Sequence, residues 1–398
     1  MMLRRILFQI HLWVGLTLGI LFVLLGLSGT GLMFRAIPGI GQRVPQVQAT
    51  ATGTPLPLEA IAAAAAKTGA PVPRGVAATI ILPRADGRPA QVRFARPGAG
   101  RGRGAASPDI LVDPVNGQVL GTFTPGMTPL MRLFHDLHGQ LFLGRSGRQL
   151  VGWLGWGMTF LGLSGLYLWW PRKGQWRHAF GVRRKAKGLR FHRELHGAVG
   201  FWSLIVFLIV SFSGVAIVFP QAVRAPLSLV SADAAGGPQG QGEAPRGGGR
   251  GRGGRGAIRT PTVAAQPGTA AIGADAAIAV ARRANPALPV QSVTLAARPD
   301  QAITVTMGAG RGTPVFVDPY RARVIATRGA RTATLADKVA SAMRTLHSGD
   351  GYGPVYWLAV WLSGLLPALF FFTGVTMWWK KRRNRAAMAA ALAPEAAE

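Results

Sequence analysis

The chain has 398 residues, 49% of them apolar and only 15% charged, whereas a soluble globular protein carries about 25% charged residues. Its 45 Lys and Arg against 15 Asp and Glu give a formal charge of +30, which fits nucleic acid, anionic lipid or membrane topology as the cause. Cysteine is absent, which excludes disulfides, thiolate zinc sites, cysteine-ligated iron–sulfur clusters and CxxCH haem attachment.

"MMLRR" leads into a first expected span at 6–34. Its apolar run exceeds the h-region of a signal peptide and reaches the roughly 20 residues that cross a bilayer. Within it, "HLWVGLTLGILFVLLGLSG" opens on His11, and an ionisable group in a span points first to function. An α+β segment follows at 42–130, with a helix in "PLEAIAAAAAKTGA", alternating strands and a turn at the Asp-Pro of "ILVDPVNGQVLG". A second span is expected at 150–170, a basic loop at 171–193 and a third span at 194–219. A second α+β segment occupies 221–340, with a Gly/Arg-rich insert at 236–257. The fourth span is 354–379, and "KKRRNR" opens a tail at 380–398.

Lys and Arg cluster at the start of span one, between spans two and three, and after span four. By the positive-inside rule both termini and that loop are cytoplasmic, and both α+β segments lie outside. The expected fold is a four-transmembrane-helix bundle, an internal repeat of two helix pairs, carrying two outer α+β domains. The insert contains a literal G-x-G-x-x-G at Gly251–Gly256, but no strand precedes it and no helix follows, so it is no dinucleotide fingerprint. Outside the cell it has no nucleic-acid partner, and it reads as a flexible cationic linker.

The chain is written twice. Span three lies over span one without a gap, so that His196 matches His11, Gly200 matches Gly15, and Ser213-Gly214 matches Ser28-Gly29. Spans two and four register through His138 and His347, Ser164-Gly165 and Thr373-Gly374, and Trp169-Trp170 and Trp378-Trp379. Four of the seven histidines therefore pair across the repeat. On the face of His11 lie Gly15, Gly19, Gly26 and Gly29, and on that of His196 lie Gly200, Ser211 and Gly214. Such small residues serve close helix packing, or leave clearance for a flat macrocycle.

Zinc hydrolysis does not fit, because "HRELH" (His192–His196) puts Glu194 two residues after His192 and is not H-E-x-x-H. A di-iron site lacks glutamates in the spans. Haem b needs two imidazoles in an apolar pocket, and two haems fit: His11 with His196 on the cytoplasmic side, His138 with His347 on the outer side. His192 and His135, each one turn from one of these, are the alternative ligands or contacts for a propionate. His178, in the basic loop, fits topology alone.

The stretches "IHLWVGL", "LSGTGLMF", "LHGQ", "GLSGLYLWWPRK" and "ELHGAVGFW" resemble the PepSY-associated transmembrane proteins, and the outer repeats with their "VDP" strands resemble PepSY domains. The resemblance implies a multi-pass protein of the bacterial inner membrane with the outer segments periplasmic. Members of that family include reductases of ferric siderophores with two b haems, which implies ligand roles for His11, His138, His196 and His347. The partners it implies are a ferric siderophore or other ferric chelate outside, and quinol or a cytoplasmic reductase as electron donor. Two other readings stay open: an envelope regulator or peptide-binding module anchored by four helices, and a divalent-cation transporter.

Overall fold

The computed structural model describes residues 2–45, 47–49, 53–67, 77–83, 87–94, 108–171, 176, 179–221, 225, 260–264, 268–308, 312–327 and 335–391. The insert expected at 236–257 lies outside the described residues, as does His178. In chain order the elements are α1 (Met2–Leu32), closed by a 3-10 turn, then α2 (Leu58–Ala66), β1 (Ala78–Ile81), β2 (Ala90–Phe94), β3 (Asp109–Val112) and β4 (Val119–Phe123). Next come α3 (Pro129–Gln140), α4 (Gly144–Trp169), α5 (Gly188–Val218) and α6 (Ala274–Ala284). They are followed by β5 (Val290–Thr294), β6 (Ile303–Met307), β7 (Thr313–Asp318), β8 (Arg323–Thr327), α7 (Leu335–Ser348), α8 (Gly353–Ser363) and α9 (Leu366–Ala391). They form two compact units: 1–42, 127–236 and 334–398 in one, 43–126 and 237–333 in the other.

The first unit is helical. Among the described residues, three stretches are long and apolar enough to cross a bilayer: Met2–Ala36, Gly188–Val218 and Gly353–Met388. The expected second span is α4, a 26-residue helix whose many glycines and tryptophans make it less apolar than those three. α1 and α5 each pack against both α4 and α9, while α3 rests on α1 and α4, and α7 on α5. Large apolar side chains such as Ile20, Trp202, Ile205, Val355 and Phe372 face outward. In water that exposure would be costly; hydrocarbon as solvent removes the cost. Arg4 donates to the Leu168 carbonyl at 2.8 Å, and Lys381 lies 5.6 Å from the Phe8 ring centre. The N-terminus of α1, the end of α4 and the basic stretch of α9 thus share one end of the unit.

The expected fourth span is not one helix. It breaks between Ser363 and Leu366. Pro367 has no N–H and its ring crowds the carbonyl four residues back, that of Ser363. The break admits α1, for a Cβ on Gly26 would lie 2.3 Å from the Gly364 carbonyl oxygen. The Thr30 hydroxyl donates to the neighbouring Trp361 carbonyl at 3.2 Å.

The second unit joins the two α+β segments, expected as separate domains, into one antiparallel sheet of order β4-β3-β2-β1-β5-β6-β7-β8. The seam is β1 against β5, with Ile80 opposite Val293 and the Thr79 and Thr294 hydroxyls 2.9 Å apart. Alternating residues (Ile80, Val92, Val293, Val305, Val317) point to one face and pack on Ile61 and Ala65 of α2 and Ala277 and Ala281 of α6. The seam is doubled at the helices: Asp275 accepts from the Leu58 amide at 3.0 Å, and Glu59 accepts from the Ala274 amide. The "VDP" turns repeat as well. Asp113 accepts from the Val115 amide and Asp318 from the Tyr320 amide, each at 2.9 Å, so these carboxylates shape turns.

Candidate functional site

The four repeat-related histidines meet in two pairs. The His11 and His196 rings are 6.5 Å apart between centres, at 67°; the His138 and His347 rings are 5.9 Å apart, at 42°. The first pair joins α1 to α5. The second joins α3 to α7, outside the apolar stretches, and α3 owes its start to Thr128, whose hydroxyl accepts from the Met131 amide at 3.3 Å.

Every one of the four rings is held by Nδ1. His138 donates to the Leu25 carbonyl at 2.8 Å and His347 to the Val210 carbonyl at 2.9 Å, the equivalent positions of α1 and α5. His11 meets the Ser164 hydroxyl at 2.8 Å and His196 the Thr373 hydroxyl at 2.7 Å, again equivalent positions. The Ser164 hydroxyl also reaches the Leu161 carbonyl and the Thr373 hydroxyl the Leu369 carbonyl, so each can donate there and accept from its imidazole. At His138 and His347 the carbonyl acceptors put the proton on Nδ1 and leave Nε2 its lone pair, and the Ser164 and Thr373 hydroxyls are compatible with the same tautomer at His11 and His196. No hydrogen bond joins any of these Nε2 atoms to a described residue.

Burial pushes the His138 imidazole below its ordinary value and the His347 imidazole down to about 4; His135 adds to the effect at His138, and His138 adds to it at His347. Both are therefore neutral at physiological pH, the state that ligates a metal.

Two imidazoles with a free Nε2 each suit haem iron, whose macrocycle supplies the other four donors. Two metal–nitrogen bonds of about 2 Å and two ring half-widths of about 1 Å place the ring centres about 6 Å apart, as both pairs are. The glycine face divides by role. A Cβ on Gly29 would lie 2.9 Å from His138 Cε1, and one on Gly214 would lie 3.1 Å from His347 Cε1, so both make room for a ring. Gly19 and Gly26 pack against Phe371 and Gly364, while a Cβ on Gly15 would meet nothing within 4 Å. Close packing and clearance are both present, at different positions.

His135 and His192 are not in the pairs. His135 is exposed beside Asp136, at 3.3 Å, and His192 lies against the Phe191 ring. Glu194 binds Arg190 at 2.9 Å and the Arg183 amide at 3.0 Å, so the carboxylate of "HRELH" is taken up by an ion pair and a backbone amide. Ser164 and Thr373 carried no role in the sequence analysis, although they stand in register across the repeat. Their matched hydroxyls were the available signal.

A stretch of 87 residues is 37% identical to "Uncharacterized protein PA4219" of Pseudomonas aeruginosa (strain PAO1), and it covers 22% of this chain and 21% of that protein. The family model described as "PepSY-associated TM region" matches residues 8–381, which include all four paired histidines and both α+β segments. The chain therefore belongs to the family of PepSY-associated transmembrane proteins.

Proposed function

We propose that this protein is an inner-membrane di-haem b electron carrier. It takes electrons from quinol or a cytoplasmic reductase and reduces a ferric chelate, such as a ferric siderophore, in the periplasm. The observation that carries the reading is the pairing of four Nδ1-tethered imidazoles at 6.5 and 5.9 Å. His11 and His196 would hold the inner group, and His138 and His347 the outer one. Bound haem supplies one-electron redox chemistry. The chain does the rest: serine, threonine and backbone carbonyls orient the imidazoles, and apolar helices keep water from them.

In this reading α4 is the second of four spans, which its packing on both α1 and α5 and the contact of its end with Arg4 support. The basic clusters at that end favour cytoplasmic termini. Outer-sphere transfer suffices for a ferric chelate, so no deep substrate pocket is needed. The product Fe(II) is then released, because hard oxygen ligands hold it more weakly than Fe(III).

The test is a haemochrome assay on detergent-purified protein from haem-replete cells, followed by mixing the reduced protein with a ferric chelate. About two b haems per chain and rapid oxidation by the chelate are expected. A stable, colourless protein would overturn the reading and leave the regulator and the cation transporter.

A further inference from the structure

The inner pair stands at His11 and His196 of α1 and α5. The outer pair is tied to Leu25 and Val210 of the same helices. At about 1.5 Å per residue the two levels are about 21 Å apart along each helix. In the second half of the repeat, two phenylalanines stand within that interval. The Phe370 ring of α9 is 5.0 Å from His196, and the Phe207 ring of α5 is 6.2 Å from Phe370, at 89°. Phe207 is buried, and it lies one turn before Val210, whose carbonyl holds His347. Gly162 of α4 admits the ring, since a Cβ there would be 3.3 Å from Phe207 Cδ1.

The first half repeats this only in part. Phe22 is the equivalent of Phe207 and is also buried. The equivalent of Phe370 is Leu161, which belongs to the same apolar cluster as Phe22, although among the described residues Phe22 has no ring partner.

We propose that Phe370 and Phe207 form a packed path by which an electron crosses from the inner imidazole pair to the outer one. The inference rests on the di-haem reading. One electron leaves the inner site, which is oxidised, and enters the outer site, which is reduced; no bond forms or breaks and no proton moves. Electronic coupling weakens with distance, and weakens faster across a void than across touching atoms, so dense packing at these two rings sets the rate.

The experiment uses full-length protein in lipid vesicles, with a flash-activated viologen-type reductant confined to the side of the basic clusters. Reduction of the inner site is the first phase, and its equilibration with the outer site is the second. Haem content and both midpoint potentials are measured on every variant, so that a change in driving force is separated from a change in path.

Phe207→Ala and Phe370→Ala are expected to slow the second phase on the order of tenfold, because each opens a void in the packed interval. Phe207→Leu should restore most of the rate. Should an alanine variant lose haem, valine at the same two positions carries the same comparison, with the same order of rates. Two haems, unchanged potentials and a native second phase in both alanine variants would overturn the path alone. Wild-type protein that takes up no haem would overturn the site reading and the path together.

Discussion

Glu59 and Asp275 each cap the helix that carries the other. Asp275, near the start of α6, accepts from the Leu58 amide that begins α2, and Glu59 of α2 accepts from the Ala274 amide that begins α6. Each carboxylate also faces the positive end of a helix dipole. Losing such a cap costs about 1 kcal/mol, roughly fivefold in local opening. Glu59→Ala should therefore speed amide hydrogen exchange in the first turn of α6, and Asp275→Ala in the first turn of α2. Faster exchange confined to the mutated helix would contradict the crossed arrangement.

Ser164 and Thr373 orient the inner imidazoles from behind. Ser164→Ala and Thr373→Val remove the hydroxyl partner of a buried Nδ1 while keeping the helix. Loss of such a partner costs about 10–100-fold in affinity at comparable sites. Titration of apo-protein with haem should show one of two sites weakened by that factor. Two unaltered sites would mean that the hydroxyls only pack.

The glycine face offers a comparison of close approach with open space. Gly29→Ala and Gly214→Ala should push the His138 and His347 rings aside, with the larger effect at Gly29, where the added carbon would be 2.9 Å from the ring and not 3.1 Å. Gly15→Ala meets nothing within 4 Å, so the fold should keep its thermal stability. If the clearance beside Gly15 serves a macrocycle, that variant binds the inner haem weakly. Unchanged haem content in Gly15→Ala would show that the space has no such use.

The pairing of ligands is tested by single substitutions. On the di-haem reading, in which both imidazoles of a pair would hold one haem, His138→Ala or His347→Ala should remove about half of the haem and nearly all reduction of an external ferric chelate. His11→Ala or His196→Ala should keep the outer haem and block its reduction from the cytoplasmic side. The ring planes cross at 67° in one pair and 42° in the other, so the wild type should give two distinct low-spin electron spin resonance signals. Retention of both signals in His138→Ala and His347→Ala would move ligation elsewhere, first to His135.

Several of these features stand plainly in the sequence, and others do not. His11, His138, His196 and His347 were legible because a repeat inside one chain supplies its own comparison. The helix-and-strand sets were legible because alternation shows which strand face is buried. Alternation does not show which strand lies next to which, so the β1–β5 seam, between residues more than 200 positions apart, had no local signature. Pro367 stood in full view inside an apolar run, but hydropathy averages over it, and the break before α9 went unseen. Ser164 was aligned with Thr373 without a role, because the imidazole it holds comes from another helix.

Each imidazole pair takes one member from each half of the chain: His11 with His196, and His138 with His347. The sheet seam and the exchanged caps join the same two halves. A half-length chain with one helix pair and one α+β segment would thus hold a single imidazole of each pair. It could complete them only as an isologous homodimer, presenting the same β-edge and the same helix faces to a second copy about a two-fold axis. Fusion of two such copies would free the halves to diverge, and Phe370 opposite Leu161 is such a divergence, available to a tandem chain and barred to a symmetric dimer.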